Sequence, residues 1–209
     1  MITKMYLTEE DHKILMQVEN YGSITISQCQ KLFYNTQAKG YEMARKHLSK
    51  LVQYKKLLID KDIHCKRNVY FTTKKPGYHK ILVLDFYSEL IKHGAVIRNF
   101  RIEQPWINKK YKSDAYICYT IGNKVFFDIL EVVRTKNVEI QTYKDIFNSG
   151  EAQALNNELY KQLGGQSMNK FPRLIIIDEV QHTNKLQINN EIIVIQLDFN
   201  LSNFSQLFI

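Results

Sequence analysis

Residues 114–133, "DAYICYTIGNKVFFDILEVV", constrain the fold more than any other stretch. Two apolar runs rich in β-branched and aromatic residues flank Gly122 and Asn123, a pair suited to a two-residue hairpin turn. Such a turn places Ile121 opposite Lys124, and the same register carries Asp114 to a position opposite Glu131. Directly opposed side chains have Cβ atoms about 5 Å apart on one sheet face, where like charges are destabilising. Something must then compensate: a divalent cation, a shared proton, or a cation such as Lys124, Arg134 or Lys136. A longer loop would shift the register, and the acids would never meet.

Around this hairpin the pattern alternates between elements. "YHKILVLDFYSELIKHG" is helical in length and apolar almost all round, which predicts burial on several sides, between two modules. "AVIRNFRIE" reads as a strand. Residues from about Ile140 to Leu163 read as helix with a break at Gly150, and "RLIIIDE" and "EIIVIQLDF" as strands of a buried sheet. Helix, three strands, helix, strand, strand is an α/β domain with a mixed sheet, and α+β when the whole chain is counted.

The first 80 residues are different in character. They carry 15 Lys and Arg against 7 acids, whereas residues 81–209 balance at 14 against 14. The whole net charge of +8 therefore sits in the first part, as expected of a basic module that meets an anionic partner such as nucleic acid. Thr8 with Asp11, and Thr25 with Gln28, have the spacing of helix caps. A third helix follows Asn35 and Thr36, with Tyr41, Ala44, Leu48, Leu51 and Val52 as its buried stripe. Two short strands, "LLID" and "VYFT", enclose the basic tip "KDIHCKRN". Three helices and a hairpin in this order predict a winged helix over residues 1–76, followed by the α/β domain over 77–209. The third helix would enter the major groove and the wing would lie along phosphates. Candidate DNA contacts are Gln37, Lys39, Met43, Arg45, Lys46 and Lys50 on the helix side, with Lys61, Lys66 and Arg67 on the wing. The sequence does not decide which of them reads a base.

Other classes are excluded more simply. No run of about 18 apolar residues exists to span a membrane, and "MITKMYLTEEDHK" has no apolar signal core. Cys29, Cys65 and Cys118 are widely spaced and odd in number, which argues against a disulfide framework or a zinc site. Cys29 reads as a small core residue, and His64 beside Cys65 lacks further ligands. A soluble cytoplasmic protein is expected.

The strand order with Asp114 and Glu131 resembles the core of the PD-(D/E)xK nuclease superfamily, which implies a restriction-endonuclease-like second domain. In that superfamily two acids hold a divalent metal and a Lys two residues after the second positions the attacking water. Asp114 matches the first acid, Glu131 the second, and Glu89 sits where some members carry another. Val133 occupies the Lys position and Ser113 that of the usual Pro. More broadly, the basic module, "YHKILVLDFYSEL", "SDAYI" and "FFDILEVVRTKN" resemble the replication-relaxation family of plasmids and mobile elements. The resemblance implies a double-stranded DNA binder of a plasmid, phage or other mobile element. It would act in replication or DNA relaxation, with replication or relaxation proteins and a second copy of itself as partners. Its nuclease-like domain would be non-catalytic and need no cofactor. The alternatives are a Mg²⁺- or Mn²⁺-dependent nuclease or nickase using Asp114 and Glu131, and a transcriptional repressor whose second domain dimerises.

Overall fold

Thr8 and Thr25 begin the first two helices as their spacing foretells. Each side chain accepts from the backbone three residues on, and Asp11 and Gln28 reach back in reciprocal capping boxes. The computed structural model describes residues 6–134, 138–178 and 192–208; Lys136 and Glu179 lie outside the described residues. The chain divides into two units, Met1–Gly94 and Ala95–Ile209. Both helices and sheets are present, as an α/β assignment requires.

In the first unit the order is α1 (Glu9–Tyr21), β1 (Ser23–Thr25), α2 (Ile26–Phe33), α3 (Gly40–Gln53), β2 (Leu58–Lys61), β3 (Asn68–Phe71) and α4 (Tyr78–Lys92). The strands form an antiparallel sheet in the order β1-β3-β2. Strand β1 has only three residues, too few for its pattern to be legible in the sequence. The core gathers Ile14, Val18, Cys29, Ala44, Leu48, Leu51 and Tyr70, so Cys29 is the packed residue expected. Tyr41, expected in the buried stripe, is 48% exposed. Gly40 takes the inward turn there, and Tyr41 falls outside it.

The expected boundary after residue 76 moves. Helix α4 belongs to the first unit, not the second. Ile81 packs on Val69 and Phe71, on the face of β3 turned away from Tyr70. The helix also runs along α2, and its residues Ile81 to Leu90 are all buried. Both faces of β3 are thus covered within one unit, one by the helical core and one by α4.

In the second unit β4 (Val96–Trp106), β5 (Tyr111–Ile121) and β6 (Lys124–Val133) are antiparallel neighbours. The chain then crosses through α5 (Ile140–Ser149) and α6 (Glu151–Gln162) to β7 (Arg173–Asp178) and β8 (Val194–Asp198), which run parallel to β6. A 3₁₀ turn, Phe204–Phe208, follows. The sheet order is β4-β5-β6-β7-β8. Gly150, at φ 71°, separates α5 from α6 at the expected break. The two helices lay Tyr143, Ile146, Ala152 and Leu159 on the sheet face carrying Tyr116, Cys118, Phe127, Ile129, Leu174 and Ile176. On the opposite face Arg173 grips the fully buried Asp128 through two hydrogen bonds of 2.7 and 3.0 Å, and also donates to the Tyr119 hydroxyl and the Leu207 carbonyl.

Candidate functional site

Helix α3 presents a continuous outer stripe. Glu42, Arg45, Lys46, Ser49, Lys50 and Gln53 line an open depression along it, at the i, i+3, i+4 spacing of one helix face. Ala44, Leu48 and Leu51 face the core instead. The nine expected DNA contacts do not all share this openness. Gln37, Lys39, Arg45, Lys46, Lys61 and Lys66 are exposed, whereas Met43 is half-buried against the core.

Two expected contacts are committed elsewhere. Lys50 reaches 2.6 Å from the carboxylate of Asp11, which is fully buried and also lies 2.7 Å from His47 Nδ1. Burial alone would raise the Asp11 carboxyl, but the hydrogen bonds from Lys50, His47 and Thr8 outweigh it and hold the group down at about 2. Arg67 was expected on the phosphate-facing wing. Instead it donates to both oxygens of Asp85, at 3.1 and 2.6 Å. Asp85 is 3% exposed, so an unpaired carboxylate there would be costly, and that cost fixes Arg67 inward. Gln28 completes the arrangement: it caps α2 and donates to Asp85 and to the Ile81 carbonyl. One buried carboxylate thereby joins α2, the loop between β2 and β3, and α4.

Glu89, expected where some members of the superfamily carry a further acid, is similarly engaged. Its carboxylate lies 2.5 Å from Lys31 and 2.7 Å from Lys92. Burial raises its pKa, yet these two cations bring it below the usual value. It serves as an ion-pair anchor between α4 and α2.

In the second unit the hairpin has the inferred register. Ile121 pairs with Lys124 and Ala115 with Leu130, with Gly122 at φ 56° in the turn. One step on, Asp114 and Glu131 share a hydrogen bond, and the Val132 amide donates to Asp114 at 2.8 Å. The Tyr143 hydroxyl, from α5, donates to Glu131. Burial, with the charge of Asp114 added, pushes the Glu131 carboxyl up to about 8. Glu131 therefore holds its proton at neutral pH. Val133 packs against the apolar core, so the motif Lys has no polar substitute at its own position. Among the described residues no group of three or more His, Cys, Asp or Glu is placed to hold a metal. The pair offers two carboxylates, one accepting from the Val132 amide and one from the Tyr143 hydroxyl.

Sequence reasoning missed Asp11, Asp85 and Tyr143. Asp11 was legible as a cap, but its bonds to His47 and Lys50 span 36 and 39 residues and leave no local trace. Tyr143 sits in an ordinary helical pattern, and nothing in it points to the acids.

No family model matches the chain, and neither a curated protein nor a solved structure matches it. Among the described residues no helix is long and apolar enough to cross a membrane.

Proposed function

We propose that the chain is a double-stranded-DNA-binding protein of a plasmid, phage or other mobile element, acting in replication or DNA relaxation. Its second, nuclease-like domain is a non-catalytic scaffold. The observation that carries the DNA reading is the open outer stripe of α3, where Arg45 and Lys46 stand exposed on a unit holding most of the chain's excess positive charge. The element order of that unit supports a winged helix, with α3 as recognition helix and Lys61 and Lys66 on the wing. The raised Glu131 carboxyl and Val133 at the motif Lys position support a scaffold over an enzyme.

The test is duplex affinity against salt, with plasmid topology as its companion. Log K is expected to fall steeply with log salt, because each neutralised phosphate releases counterions. Lys39→Ala and Lys46→Ala should each flatten the slope by roughly 0.9. Lys50→Ala is a poor probe, since it strips a partner from buried Asp11. No duplex binding, or a salt-independent affinity, would overturn the reading. Supercoiled plasmid incubated in Mg²⁺ or Mn²⁺ should show a shift that vanishes after protein removal.

The metal-dependent nuclease or nickase is the second reading, favoured by one observation: two carboxylates in contact, one raised to about 8, are a charge conflict that a divalent cation would relieve. Nicked or linear plasmid surviving protein removal, and lost in Asp114→Ala with Glu131→Ala, would establish it.

A further inference from the structure

The cations of α3 are not equivalent, and their surroundings sort them by what each can recognise in duplex DNA. Lys50 is turned onto Asp11 at 2.6 Å. Lys39 and Lys46 are exposed, with no ion-pair partner among the described residues. A lysine ammonium is a compact, strongly hydrated charge without a fixed fork, and it suits a phosphate. Arg45 differs. Its Nε and Nη2 both donate to Glu42 Oε2, at 3.1 and 2.6 Å, one helical turn away. That leaves the guanidinium edge bearing Nη1 and the second Nη2 hydrogen without a partner in this pair.

Glu42 is the one acid on the outer stripe of α3. A carboxylate on a phosphate-binding face weakens binding by repulsion, so on such a face it needs another use. The two side chains are 61% and 59% exposed, and an exposed pair of this kind adds little to fold stability. What the pair can do is bias the Arg45 fork toward the orientation seen, so that less rotamer freedom is lost when the fork engages a planar acceptor pair. In the major groove such a pair is offered by guanine, through O6 and N7.

We propose that Arg45 reads a guanine in the major groove, with Glu42 as the positioning residue that aims its guanidinium, and with Lys46 and Lys39 confined to phosphates. The proposal rests on the DNA-binding reading above and adds to it a base identity and the residue that selects it.

The experiment is site selection from a randomised duplex pool with the full chain, followed by salt titration on the enriched duplex. The wild type should enrich a guanine at a fixed position. Arg45→Lys keeps the charge and loses the fork. It should lose that preference by roughly tenfold or more and leave the salt slope unchanged. Glu42→Gln should weaken the same preference at that position alone. Lys46→Ala should flatten the slope and keep the preference. If Arg45→Lys retains the guanine, or Arg45→Ala flattens the slope as Lys46→Ala does, Arg45 is a phosphate contact and the inference fails by itself. Duplex binding with no base enriched also refutes the inference and leaves the reading standing. A wild type that binds no duplex sinks both.

Discussion

Asp11 and Glu131 are two carboxylates shifted in opposite directions, and each makes a separate claim about pH. Asp11 is held at about 2 by the bonds it accepts, against an ordinary value of about 3.8. A depressed acid stabilises the fold above its unfolded pKa, and that contribution is lost as pH falls through the folded value. The window is therefore pH 4 down to 2. The contribution should be about 1–2 kcal/mol after discounting for the partly exposed Lys50 and His47. Acid unfolding followed by circular dichroism should show Asp11→Asn less stable at pH 7 by that amount, with the difference closing at pH 2. Glu131 has the other sign. Its folded pKa, about 8, lies above the ordinary 4.5, so its protonated form favours the fold and stability falls as pH rises between those values. Glu131→Gln keeps the neutral form throughout. Its melting temperature should match the wild type at pH 4.5 and exceed it at pH 8.5; equal values at both would show that the carboxyl is not proton-loaded. Adding Mn²⁺ at pH 8.5 discriminates further, since a metal site would raise the wild-type melting temperature and spare Glu131→Gln.

Helix α4 is the element whose place the sequence misassigns, and the reason is physical. Its apolar circumference announces burial but does not say against what. The answer lies in Gln28, Arg67 and Asp85, which are far apart in sequence and meet only in the folded unit. By contrast, both helix caps, the hairpin register and the break at Gly150 were legible, because each is fixed by residues within a few positions of one another. The opposition of Asp114 and Glu131 follows from that register; the tyrosine above them does not. The Asp85 network makes a test at this scale. Arg67→Met leaves Asp85 with Gln28 alone and should cost about 2 kcal/mol, less than a fully buried pair because Arg67 is partly exposed. It should also free the loop between β2 and β3, where the Asp62 amide donates to the Arg67 carbonyl. Amide exchange over that loop should be faster in Arg67→Met; an unchanged rate would mean that Arg67 does not hold the loop. The salt slope of duplex binding should stay at its wild-type value, since Arg67 contacts a carboxylate and not a phosphate.

For the whole molecule, the division at Gly94 decides what can fold alone. A fragment ending at residue 76 has the three helices and the hairpin, and by sequence pattern it looks complete. It would nevertheless expose Val69 and Phe71, which pack on Ile81, and leave Arg67 without Asp85 and Lys31 without Glu89. Apolar exposure costs roughly 25 cal/mol per Å², so uncovering one sheet face and the side of α2 removes several kcal/mol from a unit of under 100 residues. Stabilities of such domains are about 5–15 kcal/mol in total. Fragment 1–94 should therefore unfold cooperatively in urea, while fragment 1–76 should melt at a far lower midpoint or bind a hydrophobic dye as a loosely packed state. The comparison bears on function as well as on folding. If 1–94 binds duplex with the salt slope of the full chain, all phosphate contacts lie in the first unit. If the full chain has the steeper slope, the second unit contributes phosphate contacts of its own. Its lysines Lys109 and Lys110 in the β4–β5 turn, and Lys112 at the start of β5, are then the first to replace.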